Sequence, residues 1–304
     1  MMKRLAKAYV LLFSLLLTAF TVYALLDSFV IRRVYQTVET AVTAPQTEAV
    51  DSALLSGHEE KEASVTANSY EDDTIRVELS TYRAENSTVY VAELWMEDAD
   101  CLRTAFSQNS YGKNVTAVTS DTAEDVGAIL AINGDNYGSR ETGYVIRNGV
   151  LYRDEAAAAD QEDLVVYADG SFAVIRESEV SAQELLDQGA VQVFSFGPGL
   201  LEDGEITVGT TEEVDRAKAS NPRTAIGIME PGHYVLVVSD GRTDESEGLS
   251  LYELAAFLQS IGVQTAYNLD GGGSSTMVFL GQVVNQPTSG RSIRERAVTD
   301  IIYI

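Results

Sequence analysis

Three short segments concentrate side chains able to do chemistry: Asn133-Gly134-Asp135-Asn136-Tyr137, Ser239-Asp240-Gly241-Arg242 and Asn268-Leu269-Asp270-Gly271-Gly272-Gly273-Ser274-Ser275-Thr276. Each sets carboxylates, amides or hydroxyls beside glycine, which lets backbone N–H groups approach a ligand or form an anion-binding nest. Tight-turn chemistry alone would explain Asp240-Gly241. The triple glycine between Asp270 and Ser274-Ser275 holds more hydrogen-bonding groups than a plain connection needs. A fourth segment, Asn221-Pro222-Arg223-Thr224-Ala225-Ile226-Gly227, opens an apolar run with an arginine. Its planar guanidinium suits a phosphate or carboxylate, although an ordinary ion pair is the plainer role in so acidic a protein.

Other chemistries are excluded by composition. A single cysteine, Cys101, allows no intrachain disulfide and no cysteine-based zinc cluster, and reads as a small buried hydrophobe. Two histidines, His58 and His233, rule out a histidine-rich metal site and leave a Ser-His-Asp triad without support. Carboxylates, amides, hydroxyls and arginine must carry the chemistry. The formal charge is −25; beyond Arg33, sixteen basic residues face forty-five acidic ones, leaving about −29 once Lys3, Arg4, Lys7, Arg32, Arg33 and Asp27 are set aside. Such a field repels nucleic acid and anionic lipid, so an anionic substrate must be drawn in by local arginines.

The elements that would position these loops are mostly strands. Thr74–Tyr82 and Ser87–Met96 alternate apolar and polar residues and predict an opening hairpin. Ala128–Ile132 predicts a buried strand that delivers Asn133-Gly134. Asn148-Gly149 and Asp169-Gly170, each between apolar runs, predict tight hairpin turns. Ser181 with Glu184, and Ser250 with Glu253, have capping-box spacing; the second opens a helix over Leu251–Ile261 that Gly262 stops. Strand-like Tyr234–Val238 precedes that helix and Thr265–Leu269 follows it. The fold class expected is α+β: a strand-rich mixed sheet domain with a few packed helices.

Ahead of this domain, Lys3, Arg4 and Lys7 precede the uncharged run Ala8–Leu26, whose nineteen residues nearly match the roughly 20 needed to span a bilayer. The positive-inside rule keeps residues 1–33 as a cytoplasmic stub and signal-anchor helix, span 8–26, with everything after Asp27 outside. A cleaved signal peptide is the competing reading, with Val22-Tyr23-Ala24 at the cleavage position. Residues 34–73 are rich in Thr, Glu, Ala and Ser and are expected to form a flexible acidic stalk before a domain at 74–304.

Together, the glycine-rich loops resemble the phosphodiester glycosidase family. Asn221–Gly227 stands where the family has N-x-R-T-A-I-G, and Asn268–Ser274 reads as its N-L-D-G-G-G-S. Asp240-Gly241 lies between them as in the family, Asn133-Gly134 matches its A-x-N-G-G-x-F loop in part, and Arg296-Ala297-Val298-Thr299 resembles its closing segment. The resemblance covers residues 117–304, with 74–116 as an N-terminal extension. Asp135 replaces the second glycine of the mammalian pattern and adds a carboxylate.

That resemblance implies a hydrolase that cleaves the bond between sugar C1 and a phosphodiester oxygen, releasing sugar and leaving a phosphomonoester. An oxocarbenium-like transition state needs a carboxylate, while the phosphate leaving group needs little protonation. Asp270 is the first choice for that carboxylate, with Asp135 and Asp240 as further catalytic candidates. Arg223 would hold the phosphate, Gly271, Gly272, Gly273 and Ser274 would supply donors, and Asn133, Gly134, Asn268 and Arg296 complete the candidate binding set. The expected partner is a glycosyl phosphodiester, carried on a cell-envelope polysaccharide or exopolysaccharide, met by a single-pass membrane protein whose catalytic domain is extracytoplasmic. Two alternatives stand beside it: a phosphodiesterase that cleaves the P–O bond with a divalent cation held by the acidic loops, and a non-catalytic glycan-binding module.

Overall fold

In the computed structural model, the described residues are 2–38, 63–96, 101–158, 160–211, 220–290 and 292–304. Helix α1, Met2–Phe29, contains the segment Lys7–Phe29, long and apolar enough to cross a membrane; its length and composition fit an anchor and a signal sequence alike. The rest is an α+β body of antiparallel strands with three short helices: α2 (Thr119–Val126), α3 (Ala182–Asp187) and α4 (Leu251–Ser260).

A nine-stranded sheet forms the frame, in the order Glu205–Ile206, Gly199–Glu202, Thr265–Leu269, Arg223–Glu230, His233–Ser239, Ser87–Met96, Ile75–Ala84, Ser69–Glu71 and Ser64–Val65. Period-two alternation decides what each face meets. From the strand Ser87–Met96, Val89 and Val91 point to the cluster under α4, with Leu254, Ala255 and Leu258, while Ala92, Leu94 and Met96 point to the main core with Tyr234, Leu236 and Val238. Residues 74–116, expected as an extension, therefore supply an interior hairpin of this sheet. Truncating Leu254 or Leu258 to alanine would cost about 2–5 kcal/mol by the usual cost of a buried cavity.

Two five-stranded sheets complete the body. One runs Val150–Arg153, Val145–Arg147, Ala190–Phe194, Glu162–Tyr167 and Phe172–Arg176, and α3 covers it. The other runs Gln282–Val283, Met277–Phe279, Leu130–Asn133, Asp300–Tyr303 and Arg103–Phe106, with α2 against it. Both predicted hairpin turns are present: Asn148 and Gly149 have φ of 50° and 74°, the backbone that an Asn-Gly turn supplies. Both capping boxes form, at Ser181 with Glu184 and at Ser250 with Glu253.

The expected stalk, residues 34–73, is paired at both ends. Arg33–Thr37 lies antiparallel to Ser110–Lys113, and Ser64–Val65 and Ser69–Glu71 extend the large sheet. Its middle, residues 39–62, lies outside the described residues.

Candidate active site

Antiparallel register brings the motif loops to one end of the large sheet. Thr224 pairs with Leu269 and Arg223 with Ser239, so Asp270 onward, Asn221-Pro222 and Asp240–Arg242 all emerge together. The second five-stranded sheet is joined to them by Asn133, whose Nδ2 donates to the Asp270 carbonyl at 2.6 Å. Between these loops lies a cavity of about 310 Å³ lined by Arg140, Phe196, Arg223, Arg242, Asn268, Asp270, Gly271, Gly272 and Arg296, with Asn136, Ser139, Asn221 and Leu269 at its walls.

Asp270 is 7% exposed and heavily engaged. The Arg296 Nη2 donates to its Oδ2 at 2.9 Å and its Oδ1 at 3.2 Å, and the Ser274 hydroxyl donates to Oδ2 at 2.6 Å. Arg296 Nε in turn donates to Ser274 Oγ at 2.8 Å, closing a three-membered network. Burial pushes the Asp270 carboxyl above its ordinary value, against Arg296, Ser274 and the nearby Arg140, which hold it down.

The cations crowd one another. Arg242 donates through Nε and Nη2 to Asn221 Oδ1 at 3.3 and 2.9 Å, and partial desolvation together with Arg296 and Arg223 lowers its pKa from the ordinary value. Arg223 is 3% exposed and donates its Nε to the Leu249 carbonyl at 2.8 Å. Arg140 lies over the Phe196 ring at 5.2 Å and donates to the Ser195 carbonyl at 3.3 Å. Gly272, at φ +64°, holds a backbone that side chains rarely adopt, and the Arg242 Nη2 lies 2.8 Å from where a Cβ would stand. Asn268 donates to the Gly197 carbonyl at 2.7 Å, and its buried Oδ1 has no hydrogen-bond partner among the described residues. A buried acceptor left open at a pocket wall is suited to a ligand donor.

Several sequence candidates lie behind this cavity and not in its lining. Asp135 is 1% exposed and pairs with Arg147 at 2.8 Å, while the backbone N–H groups of Tyr137 and Ser195 donate to it at 3.1 and 2.9 Å. Its carboxylate is a buried structural partner. Asp240 is likewise turned inward: Tyr90 Oη, Asn285 Nδ2 and Gln286 N donate to it at 3.1, 3.3 and 2.8 Å, and burial raises its pKa. Asn133 is fully buried and accepts from Thr224 Oγ1 at 2.9 Å and Thr276 N at 3.2 Å. Gly134 serves Asp300, whose carboxyl would lie 2.5 Å from a Cβ there. Gly273 packs against Ser289, and Ser274 reaches the site only through Asp270 and Arg296.

Sequence reasoning left out Arg140, Phe196, Asn136, Ser139, Asn221 and Arg242 as site residues. Arg242 and Asn221 sit inside quoted motifs, and cations in a chain with 21 basic against 46 acidic residues were a usable signal; Phe196 carried none. Among the described residues no group of three or more His, Cys, Asp and Glu side chains is arranged to hold a metal ion. Asp135 and Asp240, the carboxylates of two of the acidic loops, are engaged by protein donors.

Comparison with known proteins agrees with the motif segments. Residues 126–304 match the sequence model of the phosphodiester glycosidase family. The SPbeta prophage-derived uncharacterized protein YomE of Bacillus subtilis is 34% identical over 181 residues, covering 58% of this chain and 28% of that protein. N-acetylglucosamine-1-phosphodiester alpha-N-acetylglucosaminidase of Mus musculus is 30% identical over 189 residues, covering 57% of this chain and 36% of that enzyme. The chain thus spans about a third of the length of these relatives. Its fold is similar to the catalytic domain of the zebrafish N-acetylglucosamine-1-phosphodiester alpha-N-acetylglucosaminidase, auto-inhibited by pro-peptide, with a TM-score of 0.59 at 24% identity over 76% of this chain and 82% of that one.

Proposed function

The chain belongs to the phosphodiester glycosidase family, and on that premise we propose that it is a hydrolase that cleaves a glycosyl phosphodiester between sugar C1 and the phosphate oxygen. The observation that carries this reading is a buried carboxylate, Asp270, in one cavity with four guanidiniums, Arg140, Arg223, Arg242 and Arg296, in a protein of charge −25. Four guanidiniums gathered at one cavity call for an anionic ligand. A phosphodiester answers that need, and a carboxylate beside it answers the positive charge that develops on the anomeric carbon.

On this reading Asp270 faces the anomeric carbon and stabilises the oxocarbenium-like transition state. Arg223 and Arg242 take the phosphate and stabilise it as it leaves. Arg296 and Ser274 orient Asp270, and the open Oδ1 of Asn268 accepts a sugar hydroxyl. Water adds its hydroxyl to C1, the C1–O bond breaks, the bridging oxygen stays with the phosphomonoester, and the remaining proton of the water passes to that phosphate or to solvent. The substrate sits outside the cytoplasm, in the cell envelope, within reach of a body anchored through α1.

Hydrolysis in heavy-oxygen water tests the bond assignment. Label is expected in the released sugar and not in the phosphate. Label in the phosphate would mean P–O cleavage and would overturn the proposal.

A further inference from the structure

The end of α1 is gripped by the same edge of the body that builds one wall of the cavity. Asn114 Nδ2 donates to the carbonyls of Asp27, Ser28 and Ile31 at 3.4, 3.4 and 3.0 Å, satisfying acceptors that a helix end leaves open. Arg33 pairs with Asp27, and Arg33–Thr37 runs along Ser110–Lys113. From there the contacts pass directly to the pocket loop. Asn114 N donates to the Gly138 carbonyl at 3.4 Å, Lys113 pairs with Glu141 at 2.7 Å, and a Cβ on Gly138 would meet the Gly112 carbonyl at 2.9 Å. Asn136, Ser139 and Arg140 of this loop line the cavity. Arg140 therefore follows by two residues the Gly138 carbonyl that Asn114, the residue gripping the helix end, bonds directly.

Around the helix exit the surface mixes exposed apolar side chains with the exposed cations Arg32 and Arg33. Val30, Val34 and Tyr35 are 62%, 55% and 58% exposed, in a body otherwise strongly acidic, and they continue the apolar character of α1 past Phe29. Tyrosine with aliphatic neighbours at the end of a membrane helix suits the headgroup layer, which is about 5–7 Å deep on each side. A body of charge about −29 on a loose tether would be pushed away from anionic lipid. A body clamped at Asn114 and by the Arg33–Thr37 strand cannot swing away.

We propose that this collar seats the body on the bilayer, with the Asn136–Arg140 wall of the cavity beside the headgroups, and that the substrate is a glycosyl phosphodiester carried on a membrane lipid. The substrate half of this rests on the function proposed above. The seating half does not.

Two measurements on the full chain in vesicles of phosphatidylglycerol and phosphatidylethanolamine test it. A fluorophore on Ser139→Cys, in a Cys101→Ser background, is expected to be quenched at least threefold more by headgroup-labelled lipid than one on Glu230→Cys, at the far end of the strand that begins at Arg223. Equal quenching, or a mature chain that begins at Leu25, would overturn the seating. Next, a flexible Gly/Ser insert of about 20 residues between Val30 and Ile31 would release the body over roughly 25 Å. Hydrolysis of the N-acetylglucosaminyl phosphodiester of hexadecanol, embedded in the vesicles, is expected to fall about tenfold, with the methanol diester in solution unaffected. Equal rates on the lipid-borne diester with and without the insert would overturn the lipid assignment. No turnover of either diester by the unaltered protein would count against this substrate class, while the quenching still decides the seating.

Discussion

Asp270 keeps a carboxylate in a site that burial makes costly for charge, and its neighbours offset that cost only in part. Asp270→Asn preserves volume and much of the hydrogen bonding to Ser274 and Arg296 while removing the charge. Turnover is expected to fall a hundredfold or more, about 3 kcal/mol of transition-state stabilisation, with a smaller change in KM and normal folding. Near-normal kcat in a folded variant would remove Asp270 from the reaction. The pH profile should agree: protonation removes the needed charge, and a carboxyl that burial raises from its ordinary value moves the acid limb of kcat/KM upward in pH. At this same scale the sequence was legible in type and less so in direction. The Asn268–Ser274 motif put Asp270 and Asn268 at the cavity, but the same kind of motif put forward Asp135 and Asp240, whose side chains turn inward. Spacing shows which residues gather at a loop; long-range register decides which way each one points.

At the scale of elements, the loops are held by a buried ion network behind the cavity. Arg147 donates Nη2 to Asp135 at 2.8 Å and to Asp300 at 2.9 Å, tying the strand Val145–Arg147 to the strand Asp300–Tyr303 and to the Asn133–Tyr137 loop. Two carboxyls share one guanidinium here. Burial and Asp135 push the Asp300 carboxyl from 3.8 up to about 7, against Arg147, which lowers it. The folded chain then keeps a proton between those values that the unfolded chain has lost, so this group's contribution is complete below pH 3.8 and declines as pH rises toward 7. Asp300→Asn is expected to remove that decline, flattening the stability slope between pH 4 and 7 by up to about 1.4 kcal/mol per pH unit relative to the unaltered protein. Denaturant unfolding across that range measures it; parallel slopes in both proteins would show that Asp300 does not hold the proton. Hairpin turns and capping boxes were readable because they are local. Arg147, Phe196 and Arg140 were not, since only the stacking of separate sheets brings them to Asp135 and the cavity.

For the whole molecule, the charge of −25 and the four cavity arginines would act on the proposed phosphodiester substrate at different ranges. At low ionic strength the screening length is about 30 Å, comparable to the body itself, and an approaching phosphodiester meets the repulsion of the whole acidic surface. Near 0.15 M salt that length is about 8 Å, so the distant carboxylates fade while guanidiniums in direct contact with the bound phosphate, partly shielded from solvent, lose much less. Raising salt from about 10 mM to about 150 mM should therefore increase kcat/KM on a soluble diester several-fold, mainly through substrate capture, and leave kcat little changed. Steady-state kinetics over that range decide the point. A monotonic fall in kcat/KM would mean that the arginine field reaches beyond the cavity and already steers the substrate in, and the acidic surface would then have no bearing on capture.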